Sequence, residues 1–333
     1  MKVAMSRILK ILVGVILSAI FIYFSFRQIN LGDVRARGLH FSFVWLLSAV
    51  LLYCAGVVLR GIRWRMILAS STLISTRNSI SLVVIGMSAN NILPMRTGEI
   101  VRSGILSRET GMPTLTVLGT ILLEKILDTL VLVGLAAIAL SVLNQEGSTF
   151  LIVGAIVLLT LGANLLFVLV NGSISRRLLK LLFFLPDRIN SIVSGIVSRV
   201  QSGFGTIESN QIWIKVVLIS ALIWILESIS YLCVGASIGI FLNITHFTIV
   251  TSASNLAIAV PSTSGGIGPF EFFAKESLTF VSDISVTDAA VYAVVLHFLL
   301  LAPVSLVGLF LAWIRGLSIL KITRQNGEAM RTK

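Results

Sequence analysis

The ionisable residues able to do chemistry in this 333-residue chain are few, and most lie in apolar surroundings. Over 114–143, Thr116, Thr120, Glu124 and Asp128 recur at four-residue steps, which puts them on one face of a helix. Two carboxylates one turn apart repel each other. Lys125, three positions before Asp128, can offset only one of them. An ionisable group at the centre of a bilayer costs about 2.5–3.5 kcal/mol on insertion scales. The stripe must therefore face a wet cavity or basic partners, and Arg96 and Arg102 are the candidate partners. Glu227, beside Trp224, Ser228 and Tyr231, is a second isolated carboxylate in the apolar run 212–240. Two readings stay open for these groups: a polar path through the bundle, or an ion-pair network that locks the helices together.

Two short apolar segments, 79–93 and 247–260, share a pattern. The first holds Ser88-Ala89-Asn90-Asn91 and runs into Pro94, Arg96, Gly98, Glu99 and Arg102. The second holds Ser252-Ala253-Ser254-Asn255 and runs into Pro261, Gly265, Gly266, Gly268 and Glu271. A helix-like stretch follows each, near 98–109 and 269–282. Helix starts attract anions and Arg pairs well with phosphate, so the first break suits a phosphate group. A positive anchor at the membrane surface is the alternative there, and a tight hinge is the alternative at the glycines. Broken backbone at membrane depth survives only where protein or a wet cavity shields it, and paired interrupted segments point to inverted repeats around a transport site.

The elements that position these groups follow from composition. Hydrophobic residues make up 56% of the chain, charged residues 12%, and mean hydropathy is +1.01. That balance excludes an ordinary soluble domain. Apolar runs near 8–26, 41–59, 114–143, 149–171, 212–240 and 286–314 have the length of bilayer spans. The predicted fold is an all-α polytopic membrane helix bundle. It has six full spans plus two re-entrant helical hairpins entering from opposite faces, in an inverted-repeat-like arrangement, as a single integral membrane domain over 1–333. Residues 174–207 repeat apolar positions at helical spacing and are expected to lie in the cytoplasmic interface.

The net charge of +12 is read as membrane orientation, not nucleic-acid binding, because Lys and Arg flank the apolar runs and form no single patch. With both termini cytoplasmic, the basic residues crowd the inner side: Arg60, Arg63, Arg65 and Arg77, then Arg96, Arg102 and Arg108, then the cluster from Arg176 to Lys215 and both tails. The outer side receives only Arg27, Arg35, Arg37 and Lys275.

Signatures of nucleotide-binding loops, zinc proteases and nucleophile elbows are absent from the sequence, so no cofactor and no enzymatic activity are expected. His40, His246 and His297 are scattered, and His297, in the last span, suits a hydrogen bond between helices. Cys54 and Cys233 lie in apolar runs and read as buried small hydrophobes.

Three motifs carry a family resemblance. They are Leu93-Pro94-Met95-Arg96-Thr97-Gly98-Glu99-Ile100-Val101-Arg102, Glu124-Lys125-Ile126-Leu127-Asp128, and Pro261-Ser262-Thr263-Ser264-Gly265-Gly266-Ile267-Gly268-Pro269-Phe270-Glu271. In their order and spacing the chain resembles the membrane family named after the transmembrane region of lysylphosphatidylglycerol synthetases, the flippase-like integral membrane proteins. Lys125 stands where the family often has Arg, and Phe270 where many members have Arg. The resemblance implies a cell-membrane protein that translocates a lipid or lipid-linked sugar. The synthetases' soluble aminoacyl-transfer domain is not expected here, since the chain ends at Lys333 soon after its last span. Substrate-contacting residues expected on this basis are Arg96, Gly98, Glu99, Arg102, Glu124, Lys125, Asp128, Glu227, Gly265, Gly266, Gly268 and Glu271. Expected partners are a membrane lipid, a second copy of the chain, and a glycosyltransferase or lipid-modifying enzyme. A membrane-embedded enzyme acting on polyprenyl-linked lipids is the rival reading.

Overall fold

The computed structural model describes residues 15–27, 41–93, 97–143, 148–170, 195, 198–205, 207, 209–258 and 264–316, and among them it is helical without a strand. The helices are α1 (Val15–Phe26), α2 (Phe43–Leu68), α3 (Thr76–Ile92), α4 (Gly98–Thr110), α5 (Thr114–Leu143), α6 (Ser148–Val170), α7 (Asn210–Ser237), α8 (Ile244–Ala257), α9 (Pro269–Val281) and α10 (Val286–Ile314). A 3-10 turn, Ser264–Gly266, precedes α9. Among the described residues, α2, α5, α7 and α10 are long and apolar enough to cross a membrane. Pro94 and Arg96, at the first break, and Pro261, at the second, lie outside the described residues.

Local chemistry sets several helix ends. Ser75, Ser209 and Ser285 precede α3, α7 and α10, and each side chain accepts a backbone N–H from the first turn, from Asn78, Gln211 and Asp288 in turn. Gly111 stops α4 in the left-handed conformation, φ 75°, that a side chain would resist.

The most extensive pairing is α2 with α7. Ser230 Oγ donates to the Ala49 carbonyl at 2.9 Å, and the Ser42 N–H meets the Ser237 carbonyl at the end of the pair. α3 lies on α4 and α10, and α8 on α5 and α9. Gly308 of α10 lets Ser88 and the Val84 carbonyl of α3 come so close that no Cβ would fit between them. At one end of the molecule Arg315 donates to Glu109 of α4 at 3.0 Å and to Asn78 of α3 at 2.7 Å. The α1 helix docks on α9, where Phe21 meets Phe272 with ring centroids 5.3 Å apart.

The helix continues past the apolar run 41–59 to Leu68, so Arg60 and Arg63 sit inside α2. They stay in the helix because carboxylates meet them there. The described end of 174–207 packs one face on the bundle. Phe204 and Ile207 pack among Ile67, Leu123, Leu127 and Val216, and Gly203 abuts Gly119 with no space for a side chain.

Candidate functional site

A cavity of about 170 Å³ opens where α2, α3, α4, α5, α7 and α10 converge on the turn before α9. Its polar wall is built from three arginine–carboxylate pairs. Arg63, with a side chain only 2% exposed, places Nη1 2.5 Å from Asp128 Oδ1 and Nη2 3.1 Å from Oδ2. The same Nη2 lies 3.5 Å from Glu124 Oε1. Arg102 donates to Glu124 Oε2 at 2.8 Å, and its guanidinium lies 3.5 Å above the centre of the Trp64 ring. Arg60 donates to Glu227 Oε2 at 2.7 Å and lies 4.9 Å from the centre of the Trp224 ring. Stripping water from an ion costs several kcal/mol, so each buried charge needs such a partner. The tryptophans serve twice: Trp64 Nε1 donates to Thr120, and Trp224 Nε1 to Asp128.

The stripe on α5 thus faces arginines, as its spacing requires, but the partners differ in part from expectation. Arg102 does meet Glu124. Asp128 is held by Arg63 of α2, and Lys125 turns away from it toward Glu99, 3.5 Å distant, with 54% of its side chain exposed. An i+3 ammonium is a weaker partner than a buried forked guanidinium. Arg96 lies outside the described residues.

At each glycine-rich break, the glycine N–H that leads into the helix already has a protein acceptor. The Gly98 N–H is taken by Asn90 Oδ1 at 2.7 Å, and a Cβ at Gly98 would strike the Gly86 carbonyl. The Gly268 N–H is taken by Glu271 Oε2 at 2.7 Å, the carboxylate half of a capping box, since Gly268 has no side chain to complete it. Gly265, Gly266 and Gly268 adopt φ of 73°, 80° and 100°, so these glycines are demanded by backbone geometry. Of them, Gly265 lines the cavity; Gly98 and Glu99 line a smaller hollow beside it.

Residues outside the expected substrate-contacting set complete the wall: Tyr53, Arg60, Arg63, Asn90, Asn91 and Asn255, with His297 and Phe270 stacked at a centroid separation of 4.2 Å. Asn255 Nδ2 donates to Glu227 Oε1 at 3.1 Å and to the Tyr231 hydroxyl at 2.9 Å. His297 meets Glu271 from the next helix, as its place in the last span suggested. The two broken segments come together here, since a Cβ on Gly265 would lie 3.5 Å from the Asn91 carbonyl.

Three buried guanidinium nitrogens, Arg60 Nη1, Arg63 Nε and Arg102 Nε, have no hydrogen-bond acceptor among the described residues. They are enclosed by protein and do not open on the cavity, so exchange of a protein carboxylate for another anionic oxygen would use the guanidinium nitrogens that already hold Asp128, Glu124 and Glu227.

The sequence model of the family described as the lysylphosphatidylglycerol synthase TM region matches residues 11–308. The chain is also similar to a protein of the archaeon Haloferax volcanii named glycosyltransferase AglD. The two are 21% identical over 287 residues, covering 75% of this chain and 45% of the relative. The chain thus spans less than half the length of that relative. Together with the four long apolar helices, the match identifies a multi-pass membrane protein.

Proposed function

Because the chain belongs to the lysylphosphatidylglycerol synthase transmembrane-region family, we propose that it moves a lipid with a phosphate-bearing headgroup between the leaflets of a bilayer. The observation that carries this reading is the cavity where the two broken helices meet, walled by Arg60, Arg63 and Arg102. In this reading the headgroup phosphate competes with Glu124, Asp128 and Glu227 for the guanidiniums. Each carboxylate released is left buried, so the exchange is close to balanced, and a balanced site lets cargo leave as well as enter.

The layout proposed is six spans with two re-entrant hairpins of opposite origin. The Arg315 bonds to Asn78, at the start of α3, and to Glu109, at the end of α4, favour entry and exit of the first hairpin by one face. Ser42 and Ser237 meet at the other face, from which α8 sets out after Asn243. Asn91 and Asn255, matched in the two repeats, both reach the cavity. The basic residues put both termini on the cytoplasmic side. A pre-existing gradient or downhill exchange supplies the drive. A glycosyltransferase or other lipid-modifying enzyme is the partner proposed, and a second copy of the chain is a further one.

The name of the archaeal relative favours a second reading, in which the chain serves glycosyl transfer on polyprenyl-linked lipids. Reconstitution of the purified chain into vesicles separates the two. With fluorescent phosphatidylglycerol and a labelled polyprenyl phosphate as probes, movement without chemical change supports translocation. Formation of a new lipid product supports the enzyme reading. No movement of either probe, and no product, removes the translocation proposal for these lipid classes.

A further inference from the structure

The His297–Glu271 couple is not used in the scheme above, yet it joins the cavity to the second break. His297 Nδ1 lies 2.6 Å from Glu271 Oε1, and Nε2 lies 3.1 Å from the Gly265 carbonyl. Glu271 is fixed in turn by the Gly268 N–H on its other oxygen. A carbonyl oxygen only accepts, so Nε2 must carry hydrogen to make its bond. The contact with Glu271 then needs a second hydrogen, on Nδ1 or on the carboxyl. Either way the couple holds one proton more than a neutral imidazole beside a free carboxylate.

We propose that His297 and Glu271 form a proton-binding site whose occupancy decides whether Gly265 stays docked against the first break; the proposal rests on the translocation reading. With the proton bound, His297 bridges Glu271 and Gly265 together. When it leaves, the remaining imidazole hydrogen goes to Nδ1, because a bond to a carboxylate is about twice as strong as one to a neutral carbonyl. Nε2 then turns a lone pair toward the Gly265 carbonyl and the tie is lost. A Cβ built on Gly265 would lie 3.5 Å from the Asn91 carbonyl and from both methyl carbons of Leu301, so movement of Gly265 parts the two broken segments beside the cavity. Low pH therefore holds the joint closed and high pH opens it.

Other charged groups facing the same cavity are already matched. Arg60 and Arg63 of α2 pair with Glu227 of α7 and Asp128 of α5, Arg102 of α4 with Glu124, and Lys125 with Glu99. Tyr53 of α2 lines the cavity, and Tyr231 of α7 packs edge-on to Phe270. Glu271 is left as the carboxylate that answers His297.

Two measurements on the full chain in phosphatidylcholine vesicles test the site. In an H40N/H246N protein carrying nitrogen-15 histidine, only His297 reports. Magnetic resonance over a pH series is expected to show hydrogen on Nε2 at the acid end and on Nδ1 alone at the alkaline end. An Nε2 that stays protonated, or stays bare, across that range overturns the proposal. The second uses Leu301→Cys in a C54S/C233A background. The ratio of thiol modification rates at high and low pH is compared with the same ratio when His297→Gln is added, which cancels the pH dependence of the thiol itself. The ratio is expected to be roughly tenfold larger with His297 present, and equal ratios overturn the proposal. Should the His297→Gln protein fail to assemble, the resonance experiment decides alone. Neither readout requires lipid movement, so a failed translocation assay with an intact proton switch is a distinct result.

Discussion

Arg63 and Asp128 form a forked pair between α2 and α5, with two nitrogen–oxygen contacts at 2.5 and 3.1 Å. Arg63 also reaches Glu124 and the Ser220 hydroxyl, so one guanidinium ties together three helices. Arg63→Ala leaves two carboxylates facing each other one turn apart without it. The expected loss is about 3–5 kcal/mol, the usual cost of breaking a buried pair from one side. Thermal unfolding of the detergent-solubilised protein measures it, and adding Asp128→Asn should recover part of the loss.

Arg102 separates binding from packing. It sits between the Trp64 face and Glu124. If it contacts the headgroup, Arg102→Ala lowers transport of fluorescent phosphatidylglycerol by roughly tenfold or more, the worth of one charged hydrogen bond. Adding Glu124→Gln then restores stability without restoring transport. Full transport in the double variant would mean that Arg102 only neutralises Glu124.

The proposed topology is tested by labelling single cysteines from outside intact cells. Substitutions at Glu146 and Asn243 should react with an impermeant reagent. Those at Glu109 and Asn190 should not, because the basic residues place them inside. Labelling at Glu109 together with protection at Asn243 would reverse the orientation.

Gly98 and Gly308 are positions of close backbone approach, where an added Cβ would run into the Gly86 carbonyl and into Ser88. Gly98→Ala and Gly308→Ala should each destabilise by about 1–3 kcal/mol, the usual range for overfilling a packed site. Size-exclusion profiles and melting temperatures report this. Gly134→Ala, at a position with open space around it, is the control and should be neutral or better.

Much of the architecture was legible in the chain because the bilayer imposes a length on apolar runs. The stripe of Glu124 and Asp128 was legible too, since four-residue spacing puts both on one face and their burial demands cations. The cations themselves were harder to place. Arg60, Arg63 and Arg65 follow an apolar run and look like residues at a membrane surface. What distinguishes Arg63 is a partner 65 residues away in sequence, which local pattern does not encode. The continuation of one helical face through Gly56, Arg60, Arg63 and Trp64 was the available signal. The glycines were ambiguous for a related reason. Gly98 and Gly268 precede helices as anion-binding glycines do, but Asn90 and Glu271 occupy their N–H groups, and only the folded backbone reveals that.

The Lys275 ammonium donates to the Phe24 and Ser25 carbonyls at the end of α1, across some 250 residues of chain. During synthesis α1 emerges first and its anchor on α9 emerges late. The last carbonyls of α1 therefore wait while the seven described helices between α1 and α9 are made, and they gain their buried cation only when α9 arrives. Lys275→Met should accordingly leave insertion of α1 untouched and loosen it afterwards, so that a protease site placed just beyond Arg27 becomes cleavable in the mature protein.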